Sequence, residues 1–383
     1  MLNVLFISKP IAPPFHDGSK CLVRDIATRL ERVEPIVLST RDAPALLRGA
    51  DANRPVRTAA IYSNSGSHAP SLSENLRAAS WLLTRSQADL WHFVFAPNPR
   101  SSQVARWLAR ARRTPVVQTI ASPPRDFERV SRLLFGDVVV AQSEWTAERV
   151  RGACQREGLA PPDLRVIPPP VPEQLARTRE QSLAARAVLD IAPDAPLFIY
   201  PGDVEVSSGG RASLGIAARL AEALPEAVTL FAYRRKTSGA DAAADALRRD
   251  APKNARFAAS IPDVLALVAS ASAVIFPVDD LWGKVDLPIV LLEAMVLGVP
   301  VLVLREGPLA ELTGAELIDS LEPEAWLASL LTLGRDAAAR AHRIEQQRRI
   351  SVARSSANAV ARAYEDIYVE LGARGVRAAG RAG

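Results

Sequence analysis

Apolar residues along this chain fall in short bursts, and the stretches between the bursts carry apolar positions at helical spacing. Leu2 to Ser8 is an apolar run of strand length. From Ser19 to Leu30 the apolar positions are Leu22, Val23, Ile26, Ala27 and Leu30, which share one face only in a helix. The alternation continues with strands predicted at Pro35 to Ser39, Leu90 to Val94, Pro115 to Ile120 and Asp137 to Gln142. Helices are predicted at Glu74 to Ser86, Ser101 to Arg112 and Glu144 to Arg156. The strand runs are apolar and β-branched without polar alternation, which fits strands covered on both faces. Strands alternating with helices imply a parallel sheet wrapped by helices.

Ile167-Pro-Pro-Pro-Val-Pro172 interrupts this pattern, because consecutive prolines neither donate to a sheet nor continue a helix. It is read as a hinge. The theme then repeats, with strands at Leu197 to Tyr200, Val228 to Tyr233, Arg256 to Ala258, Ala273 to Phe276 and Val301 to Leu304. The helices are Ala212 to Leu224, Ala240 to Arg249, Pro262 to Ala269 and Ile289 to Leu297, followed by one long helical stretch from Pro323 to Leu371. The expected organisation is therefore a first domain at 1–170, a second at 171–349, a C-terminal helix at 350–371 that packs back on the first domain, and a disordered tail at 372–383. That tail is Gly, Ala and Arg with only Val376 to bury.

The composition changes this picture little. The chain has 383 residues, 48% hydrophobic and 23% charged, enough for large cores and unlike a disordered chain. The net charge of +5 is carried almost wholly by arginine, with only five lysines. The arginines are scattered, so they read as solvated helix faces rather than a nucleic-acid arm, and a weak attraction to anionic membrane surfaces stays open. Cys21 and Cys154 make neither a disulfide framework nor a zinc motif. No signal peptide is read at the N terminus, and no run approaches the ~18 apolar residues of a membrane span. After the first strand, Ser8-Lys-Pro-Ile-Ala-Pro-Pro14 stands where a dinucleotide enzyme has Gly-x-Gly-x-x-Gly, which argues against a nicotinamide dehydrogenase.

The chemistry concentrates in Asp286 to Val301, DLPIVLLEAMVLGVPV. It reads as a loop, a short buried helix, a glycine turn and a strand. One acid, Glu293, interrupts an otherwise apolar helix. An unpaired buried carboxylate is costly, so Glu293 needs a ligand hydroxyl or a neighbouring cation. Gly298 permits the sharp turn and Pro300 opens the strand. The spacing of Pro288, Glu293, Ala294, Met295, Gly298 and Pro300 closely resembles the nucleotide-sugar site of the GT4-type glycosyltransferases (glycosyltransferase group 1). This resemblance implies an α/β chain of GT-B fold, with two Rossmann-like parallel-sheet domains facing a central cleft. The first would take the acceptor and the second the nucleotide-sugar donor, with Glu293 on the ribose hydroxyls.

The departures from the family pattern are specific. A second acid usually precedes the glutamate by eight residues; Val285 stands there, beside Asp286 and Lys284. Lys284 either faces the diphosphate or is a solvated loop lysine. The family commonly has Gly-Arg, then Lys five residues on, to hold the diphosphate; here Gly202 is followed by Asp203, and Ser208 takes the Lys position. Gly202, Gly209 and Gly210 would then bring backbone close to the ligand, and the helix starting near Ala212 would aim N–H groups at an anion. Arg234 and Lys236, after the next strand, are substitute cations, with a solvated basic turn as the alternative. Four of the five lysines, Lys9, Lys20, Lys236 and Lys284, fall where the resemblance places site loops.

In the first domain, the loop Lys9 to Ser19 resembles the family loop that faces donor phosphate and acceptor. Gly18 and Ser19 fit a turn and helix cap. His16 and Asp17 are acceptor-side candidates, ordinary surface positions being the alternative. Ala121 occupies the place of a sugar-contacting His, with Ser122 or Gln118 as substitutes. Ser143-Glu-Trp-Thr146 resembles the family's Ser-x-x-Thr helix start and fits a plain capping box equally well. The segment Glu306 to Glu311 puts Glu311 at the nucleotide wall.

The resemblance implies a retaining transfer from a nucleotide diphosphate sugar to a hydroxyl of a glycan or lipid-linked acceptor, in glycan, polysaccharide or glycolipid biosynthesis. The departing phosphate helps deprotonate the acceptor, so no catalytic side chain is assigned. No cofactor or metal is expected, Asp279 and Asp280 being weak evidence for one. The expected location is cytoplasmic, with peripheral contact at the inner membrane face and no nucleic acid. Two alternatives stay open. One is a non-catalytic GT-B protein that binds a nucleotide sugar or a partner, which the residues at Asp203, Ser208, Ala121 and Val285 favour. The other is a nucleotide-sugar epimerase.

Overall fold

The structure, a computed structural model, describes residues 1–13, 15, 17–41, 47, 56–63, 70–173, 175–235, 237–259, 261–281, 283–351 and 354–379, with backbone alone for 348–351 and 375–379. The chain forms two compact units. The first comprises Met1–Val171, Trp282–Pro288 and Arg354–Gly383; the second comprises Pro172–Leu281 and Ile289–Ala353.

The first unit opens with β1 (Leu2–Ile7), α1 (Gly18–Ala27), β2 (Val33–Thr40), β3 (Arg57–Tyr62), α2 (Leu72–Thr84) and β4 (Leu90–Phe95). It continues with α3 (Pro99–Arg112), β5 (Val116–Ile120), α4 (Val130–Leu133), β6 (Val138–Ala141), α5 (Glu144–Arg156) and β7 (Asp163–Val166). The seven strands lie in the order β3-β2-β1-β4-β5-β6-β7, all parallel. The order reverses between β1 and β4, so the loops leaving their C-terminal ends diverge there. In open α/β sheets that divergence makes the ligand crevice.

Both faces of this sheet are covered, as its unbroken apolar strands require. Leu22, Val23 and Ile26 of α1 pack on one face, and Leu82, Ala105 and Leu108 of α2 and α3 pack in a separate core with Leu5 and Trp91. The helices are capped by the residue types that favour caps: Ser71 and Glu74 form a reciprocal box on α2, and Asn98 followed by Pro99 opens α3.

The second unit holds α6 (Arg179–Ala187), β8 (Leu197–Tyr200), α7 (Gly209–Ala223), β9 (Val228–Ala232), α8 (Ala240–Asp250), β10 (Ala255–Ala258) and α9 (Val264–Ala269). Then come β11 (Ala273–Phe276), α10 (Ile289–Val296), β12 (Val301–Leu304), a 3-10 turn at Gly307–Glu311, β13 (Glu316–Ile318), α11 (Pro323–Arg335) and α12 (Ala337–Ser351). The six strands run β10-β9-β8-β11-β12-β13, again all parallel, with the reversal between β8 and β11. Gly298 adopts a φ of 74°, the left-handed turn that ends α10 before β12.

The long C-terminal helix of the sequence reading is in fact three helices. Asp336 leaves helical geometry and its carboxylate accepts from Ala338 and Ala339 N–H, so it ends α11 and caps α12. The third, α13 (Ala357–Ala379), belongs to the first unit. Its Val360, Tyr364, Ile367, Tyr368 and Leu371 join the core that contains Phe6 and Val94. The helix also runs into the stretch expected to be a disordered tail; Ala and Arg are strong helix formers, so the lack of apolar residues there does not stop it. Strands β3, β7 and β13 were not anticipated. Each is an outer or next-to-outer strand with half-exposed positions, and so lacks the continuous apolar run of an inner one.

Four side chains of the first unit form a buried polar line. His92 on β4 meets Thr119 Oγ1 at 2.7 Å through Nε2 and Tyr368 Oη at 2.7 Å through Nδ1, and Tyr364 Oη lies 3.0 Å from Thr119 Oγ1. Burial pushes the His92 imidazolium down to about 3, so the ring is neutral at ordinary pH.

Candidate functional site

At the second unit's switch point, β8 ends on Tyr200 and the chain turns through Gly202 to Ser208 into α7. Tyr200 is fully buried and donates its hydroxyl to Asp203 O at 2.6 Å. A Cβ at Gly202 would lie 2.3 Å from the Tyr200 ring, and one at Gly209 would lie 2.6 Å from the Tyr200 hydroxyl and from Val278. These two glycines are therefore demanded by packing on Tyr200. Packing thus accounts for both glycines without reference to a ligand.

Asp203 is also occupied within the protein. Its Oδ1 accepts from Val206 N at 3.2 Å, Ser207 N at 3.1 Å and Ser207 Oγ at 3.2 Å, which folds the loop around its side chain. Asp279, just after β11, accepts from Ser208 N at 3.4 Å. Two carboxylates thus take the loop's last N–H groups before α7. The helix itself begins without a side-chain cap, and the Ser208 hydroxyl is buried with no partner among the described residues. The N–H groups of Gly209, Gly210 and Arg211 likewise have no partner among the described residues. Such a helix start carries partial positive charge and unused donors, the two properties an anion site needs.

Arg211 was missed in the sequence. It stands in the first turn of α7, exposed and with no partner among the described residues. Its signal was available: a cation three residues past Ser208, one helical turn beyond the position where the family has its lysine. The neighbouring loop after β9 is tied in by Thr237 N, which donates to Glu205 Oε1 at 3.0 Å. That loop carries Arg234, which is half-buried; Arg235 is committed to Asp241 at 2.8 Å. Lys236 lies outside the described residues. Glu293 sits half-buried on α10, not fully enclosed as its apolar surroundings led us to expect, and Glu311 ends the 3-10 turn, also half-buried.

Lys284, Asp286 and Pro288, donor-binding candidates like Glu293, lie in a segment that groups with the first unit, while Glu293 belongs to the second. Asp286 is fully buried and accepts from Ser143 Oγ at 2.6 Å. Ser143 is the N-cap of α5, its Oγ accepting from Thr146 N at 3.1 Å, so the carboxylate sits where a helix start favours negative charge. Lys284 is buried rather than solvated, and Val285 packs 3.3 Å from where a Gly18 Cβ would stand.

At the first unit's switch point the cap of α1 is Asp17, one residue pair before the expected Ser19. Asp17 Oδ1 accepts from Ser19 N at 2.9 Å and Ser19 Oγ at 2.6 Å, and Oδ2 pairs with Lys9 Nζ at 2.9 Å. Gly18 is the first residue of α1. His16 lies outside the described residues. Ser122 is buried just past β5, next to Ala121. Gln118 is no substitute for the missing His: its Oε1 accepts from Phe135 and Gly136 N–H and its Nε2 donates to Leu133 O, which fixes the loop before β6. Lys20 is not in a loop but buried on α1, where its ammonium donates to Ala12 O at 3.3 Å and burial lowers its pKa. Among the described residues no group of three or more His, Cys, Asp or Glu is placed to hold a metal ion.

Residues 215–336 match the family model described as glycosyl transferases group 1. No curated protein matches the chain in sequence. HepE of Anabaena, solved in complex with UDP-glucose, is similar with a TM-score of 0.73 and 17% identity over 97% of this chain and 100% of that one. Sucrose-phosphate synthase of Thermosynechococcus elongatus gives a TM-score of 0.67 and 17% identity over 98% and 100%. A glycosyltransferase of Rickettsia africae gives 0.66 and 15% over 97% and 98%. At these identities the likeness is one of fold. The chain has the GT-B fold, and over residues 215–336 it is similar to the group 1 glycosyl transferases.

Proposed function

We propose that this protein is a retaining glycosyltransferase of GT4 type that takes a nucleotide diphosphate sugar in its second unit. The observation that carries the reading is the start of α7, where three N–H groups and Arg211 have no partner among the described residues, at the switch point of a unit whose residues 215–336 match the group 1 family. Similarity in fold to a HepE structure holding UDP-glucose supports the same ligand class. In this reading the diphosphate lies at the α7 start with Arg211 and Arg234 as its cations, and Glu293 accepts from ribose hydroxyls. The acceptor is a glycan or lipid-linked hydroxyl.

The chemistry asks for positioning and charge stabilisation more than for a protein nucleophile. The acceptor oxygen bonds to the anomeric carbon on the face that the diphosphate leaves. The anomeric C–O bond breaks with its electron pair going to the diphosphate, and the acceptor proton passes to a departing phosphate oxygen. No cofactor and no metal is needed to balance this step.

One observation favours a second reading, a non-catalytic protein of the same fold. Asp203 and Asp279 already accept from Val206, Ser207 and Ser208 N–H, so carboxylates occupy part of the ground a diphosphate would take. Incubation with a panel of nucleotide sugars, with cell extract as acceptor, separates the two by the release of free nucleoside diphosphate. Turnover of one donor is the expected result. Tight binding with no release would leave the binding protein standing, and sugar isomerisation with the diphosphate intact would point to an epimerase.

A further inference from the structure

Helices α2 and α3 lie against one another on one face of the first unit's sheet. Arg112 at the end of α3 joins them by donating to the carbonyls of Leu83 and Ser86. Their outward side does not look like an ordinary solvated face. Leu72 is 77% exposed, Leu76 63%, Val104 53% and Trp107 61%, four of the large apolar side chains most open to water among the described residues. Leu72 and Leu76 are one turn apart, as are Val104 and Trp107, so each pair forms a short stripe.

The charge on this layer is of one sign. Between Ser71 and Arg85 and between Asn98 and Arg113 the arginines are Arg77, Arg85, Arg100, Arg106, Arg110, Arg112 and Arg113, and the single acid is Glu74. Glu74 is buried, held below the usual carboxylate range, at about 2, by hydrogen bonds from Ser71 and Ser63. None of these arginines has an acidic partner among the described residues, whereas elsewhere in the chain Arg24, Arg32, Arg165, Arg219 and Arg305 all do. Arg106 turns inward to the carbonyls of Ser131 and Leu134. Arg110 and Arg113 instead edge a cavity of about 930 Å³ whose walls include Leu134, Phe135, Leu159 and Pro162.

Guanidinium groups without acidic partners among the described residues, a solvent-facing tryptophan and stripes of Leu and Val on one helical layer suit a surface that is anionic on top and apolar beneath. A nucleic-acid backbone would take the arginines and leave the apolar stripes in water. A bilayer interface takes both: the arginines meet lipid phosphates and the apolar side chains enter the headgroup–acyl boundary. We propose that the outer face of α2 and α3 docks this protein on an anionic lipid surface, with Val104 and Trp107 inserted and Arg100, Arg110 and Arg113 on the headgroups. The cavity that Arg110 and Arg113 edge offers a partly apolar recess with a cationic rim at α3. No helix of the described residues is long and apolar enough to cross a membrane, so the contact is peripheral. The proposal does not rest on the donor-site reading, which concerns the other unit.

The test is sedimentation of the full chain with vesicles of phosphatidylcholine alone and of phosphatidylcholine mixed equally with phosphatidylglycerol. The protein should sediment with the anionic vesicles at low salt and be released by salt. V104S/W107S and R110E/R113E should each lower the partition by about tenfold. Brominated acyl chains should quench part of the parent's tryptophan fluorescence, and Trp107→Phe should remove that part. All the changed side chains except Trp107 and Val104 are charged and every one is exposed, so thermal melting and nucleoside diphosphate binding should stay at the parent's values. The proposal is overturned if anionic vesicles fail to sediment the protein at low salt, or if both double variants sediment like the parent. Duplex DNA retention without vesicle binding, or vesicle binding without quenching, overturns it equally.

Discussion

The loops at the two switch points treat their polar groups in opposite ways. In the first unit Asp17 caps α1 through Ser19 and takes the Lys9 ammonium, so donors and acceptors of that loop largely consume one another. Deeper in the same sheet, His92 spends both ring nitrogens on Thr119 and Tyr368. In the second unit the acids reach only as far as Val206, Ser207 and Ser208, and α7 begins with donors to spare. The difference lies in the residue just before each helix: Asp17 is an acid with its carboxylate on the helix start, while Ser208 makes no cap. A capped start has little left for an anion, and an uncapped one keeps its partial charge and its N–H groups. Two sheets of one topology therefore do not offer two equivalent helix starts, and the second is the one suited to an anion.

The largest expected effect tests whether the first unit's polar groups are as fully consumed as they look. His92 has a folded-state value of about 3 against an ordinary 6.5. Above pH 6.5 neither folded nor unfolded chain protonates it, and its full contribution to stability is present. As pH falls below 6.5 the unfolded chain takes a proton that the folded one refuses, so stability drops until the folded ring titrates near pH 3. The linkage amounts to about 2 kcal/mol at pH 5 and roughly 4–5 kcal/mol at the acid end. Urea unfolding at pH 7 and pH 5 should show this loss in the parent, and His92→Gln should be less stable at pH 7 but flatter between the two. Equal slopes in parent and variant would show that the ring is reached by water or protons after all.

The second effect is on the other side of the contrast. Arg211→Ala removes the cation at the start of α7 without touching a buried contact. Loss of one charge-assisted hydrogen bond to a diphosphate corresponds to about 10–100-fold in affinity. Glu293→Gln removes one anionic acceptor and should cost about tenfold against nucleosides and nucleotides alike, because it acts on the ribose. Calorimetry with uridine and UDP separates the two: Arg211→Ala should weaken only the diphosphate, whereas Glu293→Gln should weaken both. If both variants bind every nucleotide as the parent does, the α7 start is not the anion site.

Much of the fold was legible because inner parallel strands are continuous apolar runs. Val138 to Ala141 and Val301 to Leu304 announce themselves. The outer strand Arg57–Tyr62 does not, since one side of it faces water and its pattern resembles a loop. The family motif located α10 and the turn at Gly298, but the partners of individual acids were beyond it. Asp203 reads as a lost cation in the sequence and turns out to be the centre of a loop of its own, and Asp286 reads as a donor ligand and is found on Ser143. Hydrogen-bond partners depend on which backbone N–H groups a fold leaves unused, and no residue spacing records that. Arg211 was overlooked for the related reason that its value comes from the uncapped helix it stands on.

The smallest effect bears on the point where the two units come closest to behaving alike. Asp279 is exposed and accepts from Ser208 N at 3.4 Å, a long bond that begins to do for α7 what Asp17 does for α1. If a diphosphate binds at the α7 start, this carboxylate opposes it by charge while contributing little as a cap. Asp279→Asn keeps an oxygen at that position and removes the charge. Exposed charges interact weakly, so nucleoside diphosphates should bind about threefold more tightly, with the gain shrinking as salt is raised. Asp203→Asn is no substitute for this experiment, because Asp203 is buried and anchors three donors of its own loop. Weaker binding in Asp279→Asn would mean that the acid supports the ligand, by holding Ser208 N in place or by accepting from the nucleotide. The second unit's helix start would then count as capped, like the first, and the contrast between them would rest on Arg211 alone.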